Sequence, residues 1–561
     1  MDVSFAQTDH AAFRDWLKKR YGTLEALNAA WGTVFWSQTY GDWEQIHLPQ
    51  PTVTVQSPSL VLDFYRFTSD MTIEFCALQS EIIRRGAPHH FITHDGLFPN
   101  HDAHALTQSC LDFMSFNSYP AFQGVRADLP AHFRDRNQGL KLTQVRGISP
   151  KFIIFEQQAG PSGQIGNALA QTTRTDYLHP TPKPGQLRLW AWHSVAHGAD
   201  GVLFFRWRTL PYGAEYFWHG LLDYGSQSHR RLQEVERFGA EVLNLADHVL
   251  ASRCVAHAGM VYDYDNESDA KVATVFSEAR AVGDRSIYQV LSERHMLADL
   301  VPSQRLSDLQ DIGRYPLLFH TNAQMLERAE VEPLRAYVEQ GGTLVLGPRS
   351  GYRDRRSFCY MEPFPGVLRA LVGAEIVDFT TIAPGEAPTM TFDGGGGTVS
   401  APGFNEVLRP ESADVQVLAR YASGYYAGEA AVVARQVGRG RVVYCGAFFA
   451  PDNIAALLDV LGFDDPHADW ANIPRDVEVV TRESTEGRFH IIMNFSGEPQ
   501  PLHFARDIIN LQSGARMSGA HVLEPYDVLV AVTPAVAAGS THYQPDGASV
   551  RALEVGPAAG S

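Results

Sequence analysis

The stretch Lys151-Phe-Ile-Ile-Phe-Glu-Gln-Gln158, followed at once by Ala-Gly-Pro-Ser-Gly (159–163), is an apolar run that ends in a carboxylate and a Gly/Pro loop. Its large apolar residues read as a buried strand, and the Gly-Pro pair marks where that strand stops. A carboxylate at such a junction, here Glu156, is where a (β/α)8 barrel places catalytic groups. Working outward, three more runs have the same character: 90–95 (His-Phe-Ile-Thr-His-Asp), 111–119 (Leu-Asp-Phe-Met-Ser-Phe-Asn-Ser-Tyr) and 201–207 (Gly-Val-Leu-Phe-Phe-Arg-Trp). Helical or loop segments separate them, which predicts βα units and a parallel sheet. Four strands fit either part of a closed barrel, which needs eight, or an open doubly wound sheet that is complete with four. The spacing does not separate the two.

Upstream, residues 11–31 read as two helical pieces joined at Tyr-Gly, with Thr23 as N-cap of the second, and a long helix is expected at about 59–85. No second strand-end Glu precedes Glu156, although carboxylate chemistry on sugars needs a pair.

Composition narrows the function. The chain has 561 residues, 46 basic against 63 acidic, and a net charge of −17. No Lys/Arg stripe alternates with aromatics, so neither nucleic acid nor an anionic membrane is expected as partner. The five cysteines (76, 110, 254, 359, 445) are odd in number and far apart, which suggests neither a disulfide framework nor a metal site. The first residues carry no leader pattern and no later run is long enough for a membrane span, so a cytoplasmic protein without cofactor or metal is expected.

The segments 13–38 (from Phe-Arg-Asp-Trp to Phe-Trp-Ser-Gln), Asn-Ser-Tyr-Pro (117–120), Phe-Glu-Gln-Gln (155–158), 188–200 (Arg-Leu-Trp-Ala-Trp-His-Ser-Val-Ala-His-Gly-Ala-Asp), 204–208 and 213–222 occur in this order. Together they closely resemble the β-galactosidases of glycoside hydrolase family 42, from residue 9 to about 530. The resemblance implies the C-terminal half of a (β/α)8 TIM barrel (strands five to eight, residues 1–250). An α/β trimerisation domain similar to class I amidotransferases (251–468), a small antiparallel β-domain (469–535) and a disordered tail (536–561) would follow. It implies that Glu156 is the retaining nucleophile, that the acid/base Glu lies upstream of Met1, and that Trp36, Tyr119, Glu215 and His219 contact the sugar or the nucleophile. Trp36 would be an aromatic platform for the apolar face of galactose. A homotrimer is implied, and possibly an N-terminal half-barrel polypeptide as partner.

Residues also depart from the pattern. Ala159, Ser162, Gly163 and Gln164 stand where the family carries an aromatic wall beside the acceptor sugar, and His94-Asp95 and Phe116-Asn117 differ as well. Arg206 is read equally as a sugar ligand or an internal ion-pair partner; His197 and Trp190 are read as packing residues. In the α/β segment 255–465, Leu-Phe-His-Thr-Asn-Ala-Gln has no Cys on a strand-to-helix elbow, so assembly is expected there rather than amide chemistry. Runs 476–482, 488–495 and 525–532 alternate with a period of two, as in an antiparallel β-domain. Two functions follow. The chain is the C-terminal part of a β-galactosidase that acts once the rest of the barrel is supplied, or it is a catalytically inactive oligomeric remnant.

Overall fold

The computed structural model describes residues 4–53, 55–97, 100–164, 177–250, 252–394, 397–485 and 487–533; the tail expected at 536–561 lies outside the described residues. Strands Thr93–Asp95, Phe113–Ser118, Phe152–Gln158 and Gly201–Phe205 form one parallel sheet in chain order. Helices Ala103–Cys110, Gln138–Ile148, Gln186–Ala196 and Arg230–Asn244 follow them in turn. A doubly wound sheet reverses its strand order at a switch point; this one never reverses, as in an arc of a (β/α)8 barrel. Between sheet and helices, Met114, Leu142, Val145, Phe152 and Ile154 close a core.

The two middle strands are largely buried, while Leu203 on the fourth is 51% exposed. Helix Pro58–Gly86 tells the same story along its length. Its first half packs Leu60, Phe64 and Phe67 against Phe13, Leu27 and Trp31 of helices Gln7–Tyr21 and Leu24–Trp31. Thr23 caps the second of those helices by accepting from the Ala26 N–H. Fully buried Asp63 ties the bundle by accepting from Tyr21 Oη, Trp31 Nε1 and Arg66. The second half leaves Phe75, Leu78 and Ile82 exposed, spaced as one helical face.

The next unit is an 11-stranded sheet. Its parallel part runs Gly440–Cys445, Thr343–Leu346, Leu317–His320, Ala258–Tyr262, Ala298–Pro302. This order does reverse, and such sheets bind ligands in the crevice at the strand ends beside the reversal. Here ion pairs line that crevice, Arg355 with Asp263 and Arg353 with Asp269, while Arg280 bonds Asn322, which in turn bonds Asp284; a cavity of about 280 Å³ remains beside Asp263 and Arg355. The last unit is a 7-stranded, largely antiparallel sheet with Val477–Ser484, Gly487–Asn494 and Val528–Val532 near the expected places, and two long strands, Gln500–Asn510 and Arg516–Leu523, that the period-two reading did not resolve. Strand Arg253–Cys254, just after the barrel helices, pairs with Val477–Ser484 and stitches the β-sheet unit back onto the barrel. Among the described residues no helix is long and apolar enough to cross a membrane.

Helix Gln138–Ile148 packs directly on strand Ala298–Pro302. Gly147 permits this approach, because a Cβ there would lie 1.9 Å from the Leu300 carbonyl oxygen. Gly147→Ala must therefore separate two backbones, and a loss of ~3 kcal/mol is expected, at the upper end of overpacking costs. A urea titration reads it; an unchanged midpoint would show that the contact yields easily. Next to it, buried Arg146 donates to Asp299, the Ala298 carbonyl and the His197 carbonyl, joining helix, strand and the following barrel helix in one ion-paired node.

Candidate active site

Glu156 lies at a bulge. In register with the second strand, Phe116 faces Ile154 but Asn117 faces Glu156; against the fourth, the pairing skips from Ile154 to Gln157. An extra residue in one strand bends it and re-aims the next side chain, which is why bulges recur beside active sites. The carboxylate so presented accepts from Tyr119 Oη at 2.5 Å, and Tyr119 stands just beyond the second strand. Partial burial and the neighbouring charges of Asp95 and Glu215 raise the Glu156 pKa, while the Tyr119 hydrogen bond and Arg206 lower it. Burial and the bond to Glu156 in turn push the Tyr119 phenol well up, so it stays protonated as a donor.

Arg206 follows the fourth strand and pairs with Glu215 at 2.7 Å. Glu215 is half-exposed and adds negative field at Glu156. On the first strand, Asp95 accepts from Asn117 Nδ2 at 2.8 Å, and burial raises its pKa. Thus the ends of all four strands contribute a polar group: Asp95, Asn117, Glu156 and Arg206. Several atoms of this rim, Asp95 Oδ1, Asn117 Oδ1, Arg206 Nε and Trp218 Nε1, are buried without a hydrogen-bond partner. Unsatisfied groups of this kind carry a cost that a hydroxyl-rich ligand or a neighbouring strand would remove.

The loops after the third and fourth strands interlock. His219 N–H donates to the Pro161 carbonyl, and a Cβ on Gly160 would fall 2.6 Å from the His219 oxygen, so only glycine fits there. Gly163, one of the residues that departs from the family pattern, is equally confined by Phe217 and the Tyr177 carbonyl. His219 is half-buried, its pKa lowered by desolvation, and its backbone fixes it on this loop. Trp36 stands apart: it stacks on Phe35 at 4.7 Å, is 63% exposed, and no hydrogen bond or ring contact joins it to Glu156 among the described residues. Its backbone φ of 53° and that of Ser37 at 57° put two adjacent non-glycine residues in the left-handed region, a strained conformation of the sort found at ligand clamps.

Trp218 was not singled out from the sequence, although it sits between Glu215 and His219. Its ring meets Tyr119 edge-on at 4.8 Å and lies 6.2 Å from Phe122, which continues to Tyr177 and His179. An aromatic cluster therefore adjoins the tyrosine that donates to Glu156.

A different group could hold a cation. Buried His193, His197 and Glu478 have ligand atoms within 4.8 Å of one another. However, Arg136 lies 3.6 Å from the same carboxylate and Arg146 3.4 Å from His197 Nδ1, so the negative charge is already balanced by guanidinium groups. The cluster reads as a buried ion-paired seam between barrel and β-domain; His197 and Trp190 are both buried, as a packing role requires.

The chain matches three successive profiles: "Beta-galactosidase" of glycoside hydrolase family 42 over 2–245, "Beta-galactosidase trimerisation domain" over 256–465 and "Beta-galactosidase C-terminal domain" over 476–532. It is 31% identical to the β-galactosidase BgaH of Haloferax lucentense, covering 88% of this chain and 71% of the relative. It is 28% identical to BgaA of Clostridium cellulovorans, covering 92% and 76%. Among solved structures, the β-galactosidase of Bacillus circulans sp. alkalophilus superposes with TM-score 0.82 at 25% identity, covering 95% of this chain and 77% of that one. The enzyme of the haloarchaeon Halorubrum lacusprofundi gives 0.79 at 28%, covering 94% and 76%.

Proposed function

Because the chain belongs to the β-galactosidases of glycoside hydrolase family 42, we propose that Glu156 is the nucleophile of a retaining β-galactosidase whose barrel is closed by four further (β/α) units. One observation carries the reading: a bulge turns a single carboxylate out of the strand ends and a protonated tyrosine holds it. In the first step Glu156 attacks the anomeric carbon of a terminal β-galactoside. The glycosidic bond breaks, and a general acid gives its proton to the departing oxygen. The resulting galactosyl ester on Glu156 is then opened by water, whose proton returns to the same group acting as base. The partner carboxyl must stand ~5–5.5 Å from Glu156. We place it, by resemblance to the family, on a strand outside the four described here.

Tyr119 keeps the attacking oxygen aligned and ionised; Arg206, neutralised by Glu215, tempers the field of the surrounding carboxylates; Glu215, His219 and Trp36 bind the sugar once the barrel closes. The middle unit assembles the chains as a homotrimer. The exposed strand edge and the bare face of Phe75, Leu78 and Ile82 favour a second reading for the chain by itself, an inactive oligomeric subunit that gains activity with the other half-barrel.

Incubation with 2-deoxy-2-fluoro-β-galactosyl fluoride tests the nucleophile: slow turnover of the ester should leave the fluorosugar on the peptide that contains Glu156, and a label on any other residue rejects the assignment. Tyr119→Phe removes the donor that lowers the Glu156 pKa. The acidic limb of the pH–rate profile should move upward and kcat fall about 10- to 100-fold, the scale of a hydrogen bond to a charged group. A limb that stays in place would mean that Tyr119 does not act on the nucleophile.

A further inference from the structure

Beside the catalytic rim lies a second cavity, of about 460 Å³, walled on one side by the barrel and on the other by the β-domain. The barrel side comes from the loops after the second and third strands, the same face that carries Glu156. One helical turn, Ala121–Gly124, divides the two spaces: Phe122 faces the aromatic cluster at Trp218, while Ala121, Gly124 and Val125 line the cavity. Tyr119, the donor to Glu156, is two residues before this turn.

The lining is that of a small-molecule site. Val125 and Pro180 supply exposed apolar surface, and the buried rings of Trp190 and Tyr526 back the cavity, both held: Trp190 Nε1 donates to Asp135 Oδ2 at 3.0 Å, and Lys183 Nζ donates to Tyr526 Oη at 3.1 Å. Asp135 Oδ2 also accepts from Gln186, while Oδ1 lies against Gly124, 2.9 Å from where a Cβ would stand, so glycine lets the carboxylate sit under this turn. The turn bearing Glu498 is pinned by Asn494 and Ser496, which both donate to the Glu498 carbonyl and leave its carboxylate at the rim. The lining carries both signs of charge, Arg134 and Lys183 with Asp135, Asp476 and Glu498, which disfavours a strongly anionic ligand. A neutral, hydroxyl-rich ring with an apolar face satisfies both kinds of surface, and the volume falls within the usual range for such sites.

We infer that this cleft binds the sugar units of an oligosaccharide beyond the galactosyl residue that is cut, so that the β-domain is part of substrate recognition. This extends the galactosidase reading given above, but the lining residues named for the cleft all belong to this chain. Its test can therefore use the 561-residue chain without a closed barrel. Calorimetric titrations with galactose and with β-1,4-galactotetraose are compared for the unaltered chain, Lys183→Ala and Glu498→Ala, with thermal melts to verify folding. The tetraose should bind at least tenfold tighter than galactose, and both substitutions should remove that gain without lowering the melting temperature. Equal binding of the two sugars, or a gain that survives both substitutions, overturns the inference while leaving Glu156 untouched. Tetraose binding that depends on Lys183 and Glu498 in a chain that ignores galactose supports the cleft and leaves the galactosyl site, which needs the closed barrel, untouched. Binding of neither sugar overturns the cleft.

Discussion

Glu156→Gln, in the chain assembled with a half-barrel that closes it, is expected to reduce turnover by about 10⁴- to 10⁶-fold, the scale on which loss of a covalent nucleophile acts. The fold should hardly notice. Glu156 is partly exposed, its hydrogen bond comes from Tyr119 Oη, and a glutamine oxygen can accept that bond unchanged. The test becomes sharper with Glu156→Ala and added azide. Azide would enter the space left by the carboxylate and attack the anomeric carbon from the same face, displacing the aglycone from an activated β-galactoside. The product would be the α-galactosyl azide, of inverted configuration. A β-azide would instead mean that Glu156 works as the acid/base; retained hydrolysis by Glu156→Gln would remove it from catalysis altogether. Closure of the barrel matters because four strands cannot surround a sugar, and because the described carboxylates nearest in charge to Glu156 are engaged: Asp95 by Asn117 and Glu215 by Arg206.

The positions of the four parallel strands were legible because their apolar runs are short and bounded by Gly, Pro and polar residues. What the runs did not contain was their neighbour order, and that order is what separates a barrel arc from a doubly wound sheet. Glu156 was legible as a strand-end group, yet the strand continues to Gln158, and the bulge that aims the carboxylate has no mark in Phe-Ile-Ile-Phe. Tyr119 and Glu156 meet although 37 residues separate them, a contact that follows only from pairing of adjacent strands. Trp218 carries no signal of its own in the sequence, since its place as an edge-on neighbour of Tyr119 depends on how the last loop folds back. In strand Gln500–Asn510 a register shift between Phe504 and Ile508 breaks the two-residue period, while Arg516–Leu523 alternates in burial but puts Gly519 and His521 on its inner side, which hides the pattern from a reading of apolar residues.

Mild acid is expected to unfold the chain, through buried histidines spread over all three units. Burial holds His101, His197, His257, His320 and His467 down to about 4 and His490 to about 3, and repulsion adds to burial in the row formed by His257, His467 and His490 at the junction of the last two units. A histidine whose folded pKa is depressed stays neutral while its unfolded counterpart takes up a proton, so the stability it confers is present above ~6.5 and is lost as pH falls towards the folded value, at about 1.4 kcal/mol per pH unit. Two buried carboxyls oppose this. Burial raises Glu406 and Asp284 to about 7, so each is protonated in the fold before it is in the unfolded chain and gains stability over the same interval. Burial raises Asp95, Asp102, Asp135, Glu156 and Asp200 as well and lowers His104, His179 and His219, so both sides have further members. Total stabilities are only about 5–15 kcal/mol, so an excess of two imidazoles, at about 1.4 kcal/mol per pH unit each, is enough to move the transition towards about pH 5. Urea midpoints measured from pH 7.5 to 5 should fall steeply, and His467→Gln should flatten the slope by relieving His257 and His490 as well as itself. A stability that stays level down to pH 5 would mean that these imidazoles take up protons within the folded structure, and that the seam between the α/β unit and the β-domain opens to water before the chain unfolds.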